Sequence, residues 1–203
     1  MLKCALFINF IIVICELYTL GHIKGKQNIL KYYTYLQNFL ALIVSLIFSI
    51  VLIVCMMANR AVPEYVKGLR YIATCGLIAT MFIFIVFLGR GKKNAITEDD
   101  FFFGCSFRFA NSMLHYVCPI LSLISFVLFE REISLSNGIW TSIAAIPSCL
   151  YWIVYTVLSV TKVWEAPYDF ASQEDKGNLQ ECLPFVLIPL SFIVLSFILW
   201  GVK

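Results

Sequence analysis

Phe39-Leu40-Ala41-Leu42-Ile43-Val44-Ser45-Leu46-Ile47-Phe48-Ser49-Ile50-Val51-Leu52-Ile53-Val54-Cys55-Met56-Met57-Ala58 contains no charged residue. An α-helix needs about 20 apolar residues to cross about 30 Å of hydrocarbon, so this stretch alone meets the requirement. Extended back to Tyr32, it is one of six such runs: Leu2–Leu20, Tyr32–Ala58, Tyr71–Gly89, Phe109–Phe129, Trp140–Val163 and Leu183–Trp200. A membrane β-barrel would show short alternating segments of about 10 residues, whereas these runs are continuous. The reading is an all-α integral membrane bundle of six transmembrane helices, forming a single domain over residues 1–203.

Composition agrees with that class. Hydrophobic residues make up 61% of the 203 and charged residues 13%; the mean hydropathy is +0.89. Such a chain is too apolar for an ordinary soluble domain. The first run follows Lys3 but has no small-residue cleavage pattern before Gly21, so it is expected to be a retained helix. The connections are too short to fold alone, and no internal repeat of the kind found in inverted transporters is visible.

Of the eight cysteines, Cys4, Cys15, Cys55, Cys75, Cys118 and Cys149 lie in apolar runs, where cysteine behaves as a small hydrophobe. Cys105 and Cys182 fall in connections and would pair only in an oxidising compartment with suitable geometry. No CxxC pair is present, and Glu98-Asp99-Asp100 reads as a solvated acidic loop, so neither metal nor cofactor is expected. The net charge of +3 is too weak and dispersed for a nucleic-acid partner.

Six crossings put both termini on one side and the first, third and fifth connections on the other. Thr34 lies about 5 Å beyond Lys31, and His115 about 10 Å beyond Arg108, both entering from the odd-connection face. An ionisable group in hydrocarbon is a functional-site hypothesis by default, and His115 is such a group; its structural alternative is a hydrogen bond between helices. Thr34 and Asn38 are four apart with Gln37 between, and Asn111 precedes His115 by four, so each helix carries a polar stripe. Glu16 adds a carboxyl near the exit of the first run, either as part of a site or as an interfacial ion-pair member. Trp164 and Tyr168 bring aromatics to the same face, as a site wall or as an interfacial belt.

No G-x-S-x-G elbow, H-E-x-x-H helix or P-loop occurs. Chemistry therefore rests on the neighbourhood of His115. A threonine hydroxyl is a poor nucleophile until a base takes its proton, and a neutral histidine suits that task. Alone, a membrane threonine more often bonds back to a carbonyl one turn earlier.

Three stretches together resemble the androgen-induced membrane hydrolase family and its bacterial six-span relatives. They are Lys31-Tyr32-Tyr33-Thr34-Tyr35-Leu36-Gln37-Asn38, Leu114-His115 with Val117-Cys118-Pro119-Ile120, and Pro167-Tyr168-Asp169-Phe170. Their order and spacing match over nearly the whole chain, although the family's tyrosine-proline-phenylalanine pattern stands here as Tyr168-Asp169-Phe170. Eukaryotic members hydrolyse fatty acid esters of hydroxy fatty acids with an intramembrane threonine and histidine. The resemblance implies Thr34 as nucleophile, His115 as general base, a membrane lipid or lipid ester as substrate, and the plasma membrane of a bacterium as location.

Asn38 and Asn111 are oxyanion candidates, with Gln37, Glu16 and Tyr168 as further substrate contacts. A related bundle type uses cysteine as acyl acceptor, which draws attention to Cys118. The competing reading is a non-enzymatic bundle that binds or transports a small lipophilic ligand. Nine Lys and Arg flank the odd connections against six on the other side, which favours a cytoplasmic odd face. The eukaryotic relatives keep their termini in the cytosol, the opposite orientation. Orientation stays open, with positions 24, 105 and 176 expected on one side.

Overall fold

The computed structural model describes residues 1–21, 32–88, 107–130, 135, 138–163 and 178–202. Among these residues every regular element is helical. α1 spans Leu2–Gly21, α2 Tyr33–Met57 and α3 Glu64–Ile83, which continues through a wider π-helical turn, Phe84–Leu88. α4 occupies residues 107–129 in four consecutive pieces: Phe107–Ser112 and Cys118–Ile124 are α-helical, Met113–Val117 and Ser125–Phe129 π-helical. α5 covers Ile139–Val160 and α6 Asn178–Val202.

Five stretches are long and apolar enough to cross a membrane: Leu2–Gly21, Tyr33–Met57, Glu64–Val86, Phe109–Phe129 and Ile139–Ser159. The distribution of polarity makes the same point. On α1, Phe7, Phe10, Ile14 and Leu17 face outward while Asn9, Glu16 and Thr19 are buried. Ile43, Ile50 and Val54 on α2, and Ile146, Leu150 and Ile153 on α5, are also exposed. An outside this apolar around a polar inside is stable only where hydrocarbon is the solvent. The chain is built as an integral membrane protein.

One boundary differs from expectation in a way that matters. α3 begins at Glu64, seven residues before the apolar run at Tyr71, because Pro63 sits at the N-cap and Glu64 occupies the first turn. That start carries Arg70 into the helix, where it is 1% exposed, instead of leaving it as a loop cation. At the preceding end, Asn59 takes a left-handed conformation (φ 50°), and the Arg60 N–H donates to the Cys55 carbonyl at 2.9 Å, closing α2.

α3 is the central helix. It packs against α2, α4, α5 and α6, while α1 lies on α2 and α4, and α5 on α6. Two glycines permit the close approaches. A Cβ on Gly68 would meet the Trp140 ring at 2.3 Å, and one on Gly76 would meet Gln37 Oε1 at 2.0 Å. Tyr33, at the start of α2, is buried among Ile83, Trp152, Tyr155, Ile188 and Phe192, and its hydroxyl bonds Ser148 Oγ at 2.6 Å. That anchor fixes the helical turn on which Thr34 stands.

Candidate functional site

His115 owes its setting to Pro119. A proline has no N–H to give the carbonyl four residues earlier, and its ring would strike that carbonyl in a regular α-helix. The carbonyl four residues before Pro119 is that of His115. The chain widens there into the π-helical turn Met113–Val117, and the Cys118 N–H reaches back to the Met113 carbonyl. His115 is thereby presented from a bulge. Its side chain is 6% exposed and stacks on the Phe84 ring, with centroids 4.1 Å apart and planes at 22°.

The imidazole also faces the backbone carbonyl of Thr80 on α3. An imidazole with one N–H directed at a carbonyl keeps its lone pair on the other nitrogen. Nδ1 is buried and has no hydrogen-bond partner among the described residues. Thr34 is half-buried on the first turn of α2. Its backbone carbonyl accepts from Asn38 Nδ2 at 2.7 Å, an i,i+4 bond that orients the Asn38 amide.

Helix register relates Thr34 to His115. Gln37 lies over Gly76, and Thr80 lies against His115. Thr34 stands three residues from Gln37, or about 4.5 Å, toward the odd-connection end, and Thr80 stands four residues from Gly76, or about 6 Å, in the same direction. The two contacts therefore put Thr34 and His115 at nearly one depth, closer than the one-turn offset expected from run boundaries. The Thr34 hydroxyl and His115 Nδ1 are not hydrogen-bonded to each other.

The other expected residues divide. Gln37 and Asn38 are buried, at 5% and 0% exposure, while Asn111 is half-buried one turn before His115. Glu16 is fully buried on α1 beside the thiols of Cys15 and Cys118; the Cys118 thiol, a weak donor, is its neighbour, and among the described residues neither carboxyl oxygen has a partner at full hydrogen-bond geometry. Lys31, Tyr168, Cys105, the acidic stretch at 98–100, the loop 167–170 and positions 24 and 176 lie outside the described residues. The Cys182 side chain does as well.

A second polar cluster, missed in the sequence, occupies the opposite end of the bundle. Arg70 pairs with Glu130 Oε1 through Nε and Nη2, each at 3.2 Å, and both side chains are 1% exposed. Arg70 Nη1 donates to Thr74 Oγ1 at 2.9 Å and Ser122 Oγ at 2.8 Å. Ser125 Oγ donates to Glu130 Oε1 at 2.6 Å, and Asn9 Nδ2 reaches the same oxygen at 3.2 Å. The cluster ties α1, α3 and α4 together. A signal for it existed: Arg70 immediately precedes the third run, Glu130 immediately follows the fourth, and in a six-span chain both ends share one face.

Comparison of the chain with protein-family models, characterised proteins and solved structures gives no match. Within about one helical turn of His115 in depth lie a hydroxyl, side-chain amides and a buried carboxyl, beside an imidazole nitrogen that is open among the described residues. In the Arg70 cluster the guanidinium and Glu130 Oε1 are well satisfied, while Asn9 Oδ1 is buried without a partner among the described residues.

Proposed function

We propose that this chain is a six-span intramembrane hydrolase of lipid acyl esters, sited in a bacterial plasma membrane. Thr34 Oγ attacks the acyl carbonyl while His115 takes the hydroxyl proton. His115 then returns that proton to the departing alcohol, leaving an acyl-threonine. Water, deprotonated by the same imidazole, releases the fatty acid and restores Thr34. Asn111, one turn before His115, is the side-chain amide available to a developing oxyanion, because the Asn38 amide donor is engaged by the Thr34 carbonyl.

The observation that supports this best is Nδ1 of His115. A buried ring nitrogen without a partner is costly in a structural histidine, which normally completes its hydrogen bonds. A general base must present an open lone pair. The family resemblance and the matched depth of Thr34 support the same assignment. A second reading, a non-catalytic bundle for a lipophilic ligand, draws on the unpartnered Glu16 carboxyl.

Purified protein in lipid nanodiscs, offered a panel of lipid esters and a fluorophosphonate probe for activated hydroxyls, separates the two. The hydrolase reading expects turnover of at least one ester and labelling that disappears in Thr34→Ala. Neither turnover nor labelling in well-folded protein would leave only the binding reading.

A further inference from the structure

Among the described residues, both carboxyl oxygens of Glu16, Oδ1 of Asn38 and Nδ1 of His115 are buried without a hydrogen-bond partner. With the Asn38 amide donor already committed to the Thr34 carbonyl, its oxygen is the end left over. The His115 ring lies beside the Thr80 carbonyl, an acceptor for the N–H of its other nitrogen. What remains open is a set of acceptors.

Register places them at neighbouring depths on helices that pack against one another. Cys118, which touches Glu16, follows His115 by three residues, so Glu16 sits about one helical turn deeper than the imidazole. Asn38 stands one residue beyond Gln37, whose contact with Gly76 sets it near the same depth as Glu16. Among the described residues, no lysine or arginine pairs with Glu16. The Arg70 cluster shows that this bundle can satisfy buried polar groups where their role is structural. Single unpartnered atoms also occur elsewhere, Asn9 Oδ1 and Ser45 Oγ among them; this region differs in leaving four acceptor atoms open at neighbouring depths, a demand that a bound molecule carrying donors would meet.

Resting on the hydrolase reading, we propose that the site takes a neutral lipid ester of a polyol bearing free hydroxyls, bound through those hydroxyls by Glu16 and Asn38. Ester and ether oxygens only accept and cannot satisfy these groups. Anionic headgroups would bring a charge to a layer in which no described lysine or arginine pairs with Glu16. The turn of helix between the Glu16 layer and His115, about 5 Å, matches the separation between a hydroxyl and a neighbouring ester in an acylglycerol. The polyol enters the bundle and the acyl chain stays in lipid.

The test uses the full chain in detergent with 1-O-hexadecylglycerol, which carries two hydroxyls and no cleavable ester, and its dimethyl ether. Expected is a rise in Tm of about 3 °C or more with the diol and none with the dimethyl ether. The rise should be lost in Asn38→Leu and weakened in Glu16→Gln. Equal shifts with both ethers, or no shift with either, would overturn the proposal even if the variants do not fold, because that comparison needs only the wild type.

A second arm compares 1-monopalmitoylglycerol with methyl palmitate, where a preference of about 100-fold in kcat/KM for the glycerol ester is expected. Comparable turnover of the two esters would also overturn the proposal. Diol binding without turnover of any ester would sustain this site while removing the hydrolase reading.

Discussion

A proline four residues after a histidine frees that histidine's carbonyl from the helical ladder, and here the result is a π-helical bulge that carries His115. Pro119→Ala restores the missing N–H and removes the ring. The expected outcome is a more regular α4, an imidazole turned away from Thr80 and Phe84, and ester hydrolysis reduced at least about 10-fold per folded molecule. Thermal stability should be unchanged or raised, because the substitution removes a helix breaker. Activity and Tm measured on the same preparation check both halves. The histidine and its proline were legible as residues four apart; the bulge was not. Thr80 and Phe84 were equally hidden, because a threonine and a phenylalanine in an apolar run look like any other packing residues until helix register is known.

At the scale of elements, α3 carries the greatest structural demand. Its Arg70 is buried, so its worth depends on Glu130. Removing one partner of a buried ion pair strands the other charge, and Arg70→Ala or Glu130→Ala is expected to destabilise the fold by about 3–5 kcal/mol. The apolar double substitution Arg70→Met with Glu130→Leu should recover much of that loss. Denaturation in mixed micelles measures both. Gly68 lets α5 approach until the Trp140 ring covers the backbone, and Gly68→Ala should destabilise by about 1–3 kcal/mol, more than Gly21→Ala, which meets open space. Helix positions were read well from apolar runs because hydropathy reports length directly. The start of α3 was misplaced because Lys67 and Arg70 looked like loop charges, and hydropathy carries no information about a partner on another helix.

For the whole molecule, six crossings predict that the second connection and the end of α5 face opposite sides of the membrane. In a chain with Cys105 and Cys182 replaced by serine, Arg60→Cys and Lys162→Cys should react with an impermeant maleimide from opposite sides of sealed vesicles. Labelling from the same side would break the parity that brings Thr34 and His115 to one face. Beneath all of this lies one claim, that these two residues act as a catalytic unit. The direct measurement is ester hydrolysis per folded molecule for Thr34→Ala, His115→Ala and the double variant. Each single substitution is expected to abolish turnover with the bundle intact, and the double variant to be little worse, because members of one catalytic unit are strongly non-additive. Wild-type rates in either well-folded single variant would contradict it.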